Sequence, residues 1–150
     1  MKNFYLILLC TFLLGLSSNS EGAADKAPNL KIENAYIFKP IEGSNTTAGY
    51  GRLINLSDEA VELKIVSAEV FKAVELHKTF EKEGRMSMEE VESLNIPAKG
   101  SVELKPGGAH IMLFDANRDL KEGESVWVRF EAGTSQMNTA FKIVSRGTQN

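Results

Sequence analysis

Short runs of alternating apolar and polar residues, each closed by turn residues after roughly ten positions, leave this chain few folds to adopt. The runs are Leu30–Phe38, Ala48–Leu56, Val61–Val70, Lys72–Lys78, Arg85–Val91, Ser101–Lys105, His110–Phe114, Ser125–Ala132 and Gln136–Val144. "KPIEGSNTT", "EKEG", "NIPAKG" and "KPGG" punctuate them with the Gly, Pro and Asn that turns favour. No segment keeps a helical period over three turns. "AVELHKTFEKEGRM" comes nearest, but Gly84 and the alternation on both sides of it predict a hairpin instead. Eight or nine strands in 150 residues predict a single all-β domain, a β-sandwich or a Greek-key barrel.

The N-terminus follows a different rule. After Lys2, Phe4–Leu16 is an uncharged run of 13 residues. About 20 are needed to span a bilayer, so the run fits a secretory signal peptide over 1–20 better than a membrane anchor. Small residues follow, with processing expected before Glu21 or, alternatively, before Asp25. Cys10 lies inside the apolar run without small residues just before it, which disfavours a lipid anchor there. Residues 21–29 read as a flexible leader, 30–145 as the folded domain and 146–150 as a disordered tail. Export places the domain in the periplasm, with no stable membrane insertion after processing.

Composition narrows the function. The formal net charge of −3, one unit more acidic once Lys2 is removed, argues against a nucleic-acid surface. Asn45 and Asn55 stand in glycosylation sequons that matter only in a eukaryotic secreted protein. No nucleophile–base arrangement, phosphate-cradling loop or dinucleotide fingerprint is present, so an enzyme is not expected. Cys10 is the only cysteine, and a processed chain has none. A domain in an oxidising compartment would then rely on its core and avoid thiol chemistry.

What remains is an unusual set of soft donors. The chain holds two histidines, His77 and His110. Strand side chains alternate, so His110 and Met112 share a face, as do Met86 and Met88. Taken singly, each has an ordinary explanation: methionine fills cores and histidine caps strand ends. Together they make a specific donor set. Thioethers suit soft metals, above all Cu(I), and imidazole binds copper as well. Calcium and magnesium want oxygen ligands, and zinc takes thiolate, imidazole or carboxylate. A thioether also cannot form a disulfide, which makes it a safe Cu(I) ligand where thiols oxidise.

The spacing His77-x10-Met88-x21-His110-x-Met112 resembles the signature of the periplasmic copper chaperones called PCu(A)C. The words "VELHK", "GRMSMEEVESLNIPAKGSVELKPGGAHIMLFD" and "LKEGESVWVRFEA" are similar to landmarks of that family, in order, and so is "TTAGYGRLINLSDEAVELKIVSAEV" upstream. The resemblance spans about 32–144. It implies a cupredoxin-like, immunoglobulin-like Greek-key β-sandwich that carries one Cu(I), with His77 and His110 supplying nitrogen and Met88 and Met112 sulfur. Met86 is then a neighbour of the site. The implied partner is a copper-accepting protein, such as the CuA subunit of cytochrome c oxidase or another copper chaperone, met by a monomer. The chain departs from the family where a methionine often follows the first histidine (here Lys78, Thr79 and Phe80), at Glu89 in place of arginine, and in lacking a His- and Met-rich tail. Two other readings are a metal-free envelope interaction domain and copper sequestration without delivery.

Overall fold

The computed structural model describes residues 29–147. The expected signal peptide and most of the expected leader and tail lie outside the described residues. Ten strands follow one another: β1 (Leu30–Phe38), β2 (Thr46–Asn55), β3 (Val61–Ala68), β4 (Phe71–Lys82), β5 (Arg85–Val91), β6 (Leu94–Ile96), β7 (Ser101–Leu104), β8 (Ala109–Ala116), β9 (Ser125–Ala132) and β10 (Ser135–Val144). The hairpin expected around Gly84 is β4–β5, paired from Leu76–Val91 to Lys82–Arg85.

Hydrogen bonds link the strands in the order β5-β4-β8-β7-β2-β1-β10-β9-β3-β6. The series folds over on itself: β3 and β4, far apart in this order, lie in contact. One apolar cluster fills the space between the halves. It draws Ile37, Leu53, Leu76, Ile111 and Leu113 from one half, and Leu63, Val128, Phe130, Phe141 and Ile143 from the other. This is the expected all-β, cupredoxin-like sandwich, with non-sequential neighbours such as β2 with β8 and β3 with β9.

Two irregularities set which side chains reach that core. In β1 the register with β2 shifts between Glu33 and Tyr36, and Asn34 has φ 51. Asn tolerates this left-handed conformation better than most residues. The bulge turns Ile37 inward and leaves Tyr36 and Phe38 on the outer face. In β3 a shift between Ile65 and Ser67 similarly brings Ala68 to the core after Leu63. On β2, Gly49 permits close packing: a Cβ there would stand 3.2 Å from Ile37 Cγ1 and 3.4 Å from Leu113 Cδ1.

Three sequence expectations need correction. The strand expected through Val70 stops at Ala68, because Glu69 and Val70 turn the chain from one half to the other. Val70 has φ 65, costly for a β-branched residue. The turn is pinned by Glu69 N–H donating to Trp127 O and Asn117 N–H donating to Val70 O, each 2.8 Å. Secondly, "NIPAKG" is not wholly a turn: Asn95 and Ile96 belong to β6, whose buried Leu94 and Ile96 pair with β3. A three-residue strand carries too little alternation to read locally. Thirdly, that strand makes the total ten rather than eight or nine. The sequon residue Asn55 is fully buried, its amide donating to Glu59 O at 2.7 Å and to Ile96 O and Pro97 O at 3.1 Å. It ties β2 to the β6 region and is not available to a glycan.

Candidate metal centre

The strand register, not the sequence order, assembles the donor set. β4 pairs with β8 so that His77 lies directly opposite His110 and Glu75 opposite Met112. β5 lies along the other side of β4 and places Met88 opposite Thr79 and Met86 opposite Glu81. Residues opposite one another share a face. His77, His110, Met112, Met88 and Met86 therefore all lie on one face of the β5-β4-β8 segment. Leu76, Ile111 and Leu113, one position along, fill the core on the other face.

Exposure is graded across this face. His110 is 5% exposed and Met112 half-buried, whereas Met88 is 58% and Met86 64% exposed on the edge strand β5. The two imidazole rings lie 5.9 Å apart between centroids, tilted by 43°. Tyr50 lies beside His110 on the same face, with ring centroids 6.4 Å apart, and itself packs at 5.3 Å from Tyr36 and 5.6 Å from Phe38. Arg146 stands over Phe38 at 5.2 Å. Burial, and after it neighbouring Tyr36, push the Tyr50 phenol above its ordinary range.

The turn before His110 has a defined geometry. Gly108 N–H donates to Lys105 O at 3.0 Å across Pro106 and Gly107, and Gly107 has φ 77. Proline second and a left-handed glycine third are the features of a type II turn. The Gly108 carbonyl then accepts from Thr79 N–H on β4 and from His110 Nδ1, each at 3.1 Å. The turn thus fixes both the strand junction and the ring beside it.

Glu75 is a member of the site that the sequence reading missed. Its Oε2 lies 2.8 Å from His77 Nε2. The other ring nitrogen, His77 Nδ1, is the only buried side-chain nitrogen or oxygen without a hydrogen-bond partner among the described residues. A buried polar atom left unpaired costs stability unless something else engages it. The signal was present in "VELHK": Glu75 is two residues before His77 on an alternating strand, hence on its face. Tyr50 was missed for a different reason, since its contact depends on the long-range pairing of β2 with β8.

Charge is divided between the two faces of the β4–β5 ribbon. Glu75, Glu81 and Glu90 share the donor face, and Lys78, Lys82 and Arg85 lie on the reverse. Glu89, where the family resemblance led to an arginine, also lies on the reverse, opposite Lys78. Thr79, in the stretch where a further methionine is common, adds a hydroxyl beside Met88 and no soft donor. Among the described residues, no three or more His, Cys, Asp or Glu side chains are grouped to hold a metal. Thioethers on the same face would favour a soft ion.

Known proteins share the fold and much of the length of this chain. The family model "Putative lipoprotein LpqE-like" matches residues 30–142. "Putative lipoprotein Lxx21020" of Leifsonia xyli subsp. xyli (strain CTCB07) is 29% identical over 139 residues, covering 90% of this chain and 82% of that protein. Among solved structures, the Cu(I) form of DR1885 from Deinococcus radiodurans is 27% identical with a TM-score of 0.65, covering 85% of this chain and 86% of that one. The apo PCuAC domain of PmoF1 is similar in fold, with a TM-score of 0.63 at 23% identity over 79% of this chain and 96% of that one. The chain belongs to the LpqE-like family, which is also the family of the PCuAC domains that its sequence resembles.

Proposed function

We propose that this chain is an exported copper chaperone that carries one Cu(I) on His77, His110, Met88 and Met112 and passes it to a copper-accepting protein. One observation carries the reading: His77 faces His110 in register, with both thioethers on the same face and no oxygen–nitrogen cluster among the described residues to compete. The related structure of DR1885 in its Cu(I) form supports the choice of ion. The apolar leader and the lipoprotein description of the family support export. The site has a fixed half and a free half. His110 is held by the turn and by Tyr50, while Met88 stands exposed on an edge strand. A carrier needs that combination, because an incoming acceptor can displace an exposed thioether while the imidazoles retain the ion. The acidic donor face favours the approach of a cation. No catalytic role is assigned, and a cytochrome c oxidase CuA subunit is the acceptor that the family resemblance favours.

Competition for Cu(I) against a chromogenic chelator under reducing conditions tests the reading. The expected result is one tight equivalent per chain, with Zn²⁺ not competing. No uptake of Cu(I), or two tight equivalents that survive truncation after Val144, would sink it. Mixing the loaded protein with an apo CuA domain then separates delivery from sequestration, delivery requiring copper to appear on the acceptor.

A further inference from the structure

The two histidines are held by different kinds of partner, and the difference decides which nitrogen each ring offers. An ionised carboxylate only accepts hydrogen bonds. At 2.8 Å from Glu75 Oε2, His77 Nε2 must carry the proton of the neutral ring. The lone pair then sits on Nδ1, the buried atom without a partner. At His110 the logic is reversed. A carbonyl oxygen also only accepts, and the Gly108 carbonyl lies 3.1 Å from Nδ1. His110 therefore carries its proton on Nδ1 and its lone pair on Nε2. The carbonyl is not free to move away, since Thr79 N–H of β4 holds it at the same time.

We infer that Glu75 and the Gly108 carbonyl are positioning groups that lock His77 and His110 into opposite tautomers, so that a metal ion engages His77 through Nδ1 and His110 through Nε2. This rests on the copper reading above for the identity of the ion, but the tautomers belong to the metal-free protein. The arrangement has a geometric use. The rings come from directly opposed positions on adjacent strands, so their Cβ atoms are close together. Nδ1 lies next to the ring carbon that bears Cβ, and Nε2 lies farther out. One ring thus donates from near its strand and the other from its tip, which gives two donors at different depths for one ion. A hydrogen bond on the remote N–H of each ring also fixes its orientation and raises its basicity as a ligand. The supports are unequal: Glu75 is a charged side chain at a partly exposed position, whereas the Gly108 carbonyl is neutral and built into the backbone.

The test uses the simplicity of the chain, which has only two histidines. Long-range ¹⁵N–¹H correlation spectra of the metal-free protein are recorded at about pH 8.5, well above the ordinary imidazole range. A His77→Gln variant assigns the signals. The expected result is the Nε2–H pattern for His77 and the Nδ1–H pattern for His110. Adding Cu(I) should move the unprotonated nitrogen of each ring, Nδ1 in one and Nε2 in the other. Glu75→Gln keeps the side-chain size but can donate as well as accept. It should give His77 a mixture of tautomers, leave His110 unchanged, and lower Cu(I) affinity about 10- to 100-fold at an unchanged melting temperature. Glu75→Asp, which keeps the acceptor-only carboxylate, should restore part of the affinity.

Both rings in the same tautomer would overturn the inference, as would a Glu75→Gln variant with an unaltered His77 signal. Cu(I) binding with both rings in one tautomer leaves the copper reading standing and removes this inference alone. Opposite tautomers in a protein that takes up no Cu(I) would overturn the copper reading and the metal half of this inference, leaving the tautomer assignment.

Discussion

The two faces of β4 and β8 are built from alternating residues of the same strands, yet they follow opposite rules. Inward, Leu76, Ile111 and Leu113 are almost completely buried and pack against the other half of the sandwich. Outward, His77, His110 and Met112 share their face with Glu75 and Tyr50, and one buried polar atom, His77 Nδ1, is left without a partner. A single strand thus serves stability on one side and presents the candidate donors on the other. The period of two that permits this also makes it fragile, since a slip of one residue in register would exchange the two faces.

The separation is tested most severely by truncating the inner face. Leu113→Ala removes a fully buried side chain and should cost about 2–5 kcal/mol, read from denaturant unfolding. Its outward neighbour should behave in the opposite way. Met112→Leu keeps the apolar bulk, so stability should change by less than about 1.5 kcal/mol while Cu(I) affinity falls at least about tenfold. If Met112→Leu destabilised the fold as much as Leu113→Ala, the two faces would not be independent.

Within the outer face, Met88 and Met86 divide the role of β5. Met88 lies opposite Thr79, one same-face step from His77, and Met86 lies a further step out, opposite Glu81. Met88→Leu should weaken Cu(I) binding about tenfold and Met86→Leu only slightly, with equal thermal stability, as measured by chelator competition. The reverse order at equal stability would mean that the register assigned to the ligands is wrong.

A smaller effect separates nitrogen from sulfur. A protonated imidazole cannot ligate, whereas a thioether carries no proton to lose. Cu(I) affinity should therefore decline gradually as pH falls from about 8 to about 5, and not collapse. A flat profile across that range would exclude the histidines as ligands. The smallest effect belongs to the surface away from both faces. The Glu92 carboxyl is held below its ordinary range by its hydrogen bond to Lys64 and then by that residue's charge. A lowered carboxyl favours the folded state above the unfolded-state value and loses that contribution as pH falls through the folded one. Because the pair is solvent-exposed, Glu92→Gln should leave the melting curve at neutral pH unchanged within error.

Much of the fold was legible because strands are local objects. β1, β5 and β9 run over the expected residues, and Gly84 marks the β4–β5 hairpin. β6 escaped notice because three residues hold almost no periodic signal, and the end of β3 was missed because tertiary contacts hold Val70 in a strained turn. Alternation also put His110 with Met112 and Met86 with Met88 before any pairing was known. Glu75 was equally legible by the same rule, two positions before His77, but a glutamate on a strand is an ordinary surface residue until its partner is seen.

The sequence by itself determined the strand periods, the turn that precedes His110, and the supply of soft donors in a chain whose one cysteine is Cys10. These depend on side-chain chemistry and on the backbone geometry of a few neighbouring residues. Only the tertiary structure decided that His77 stands opposite His110, that Tyr50 closes one side of the site, and that His77 Nδ1 is left unpaired while Nε2 meets Glu75. Those facts depend on the register between strands far apart in the chain. That register is set by which apolar faces must meet in the shared core, and no local pattern of residues encodes it.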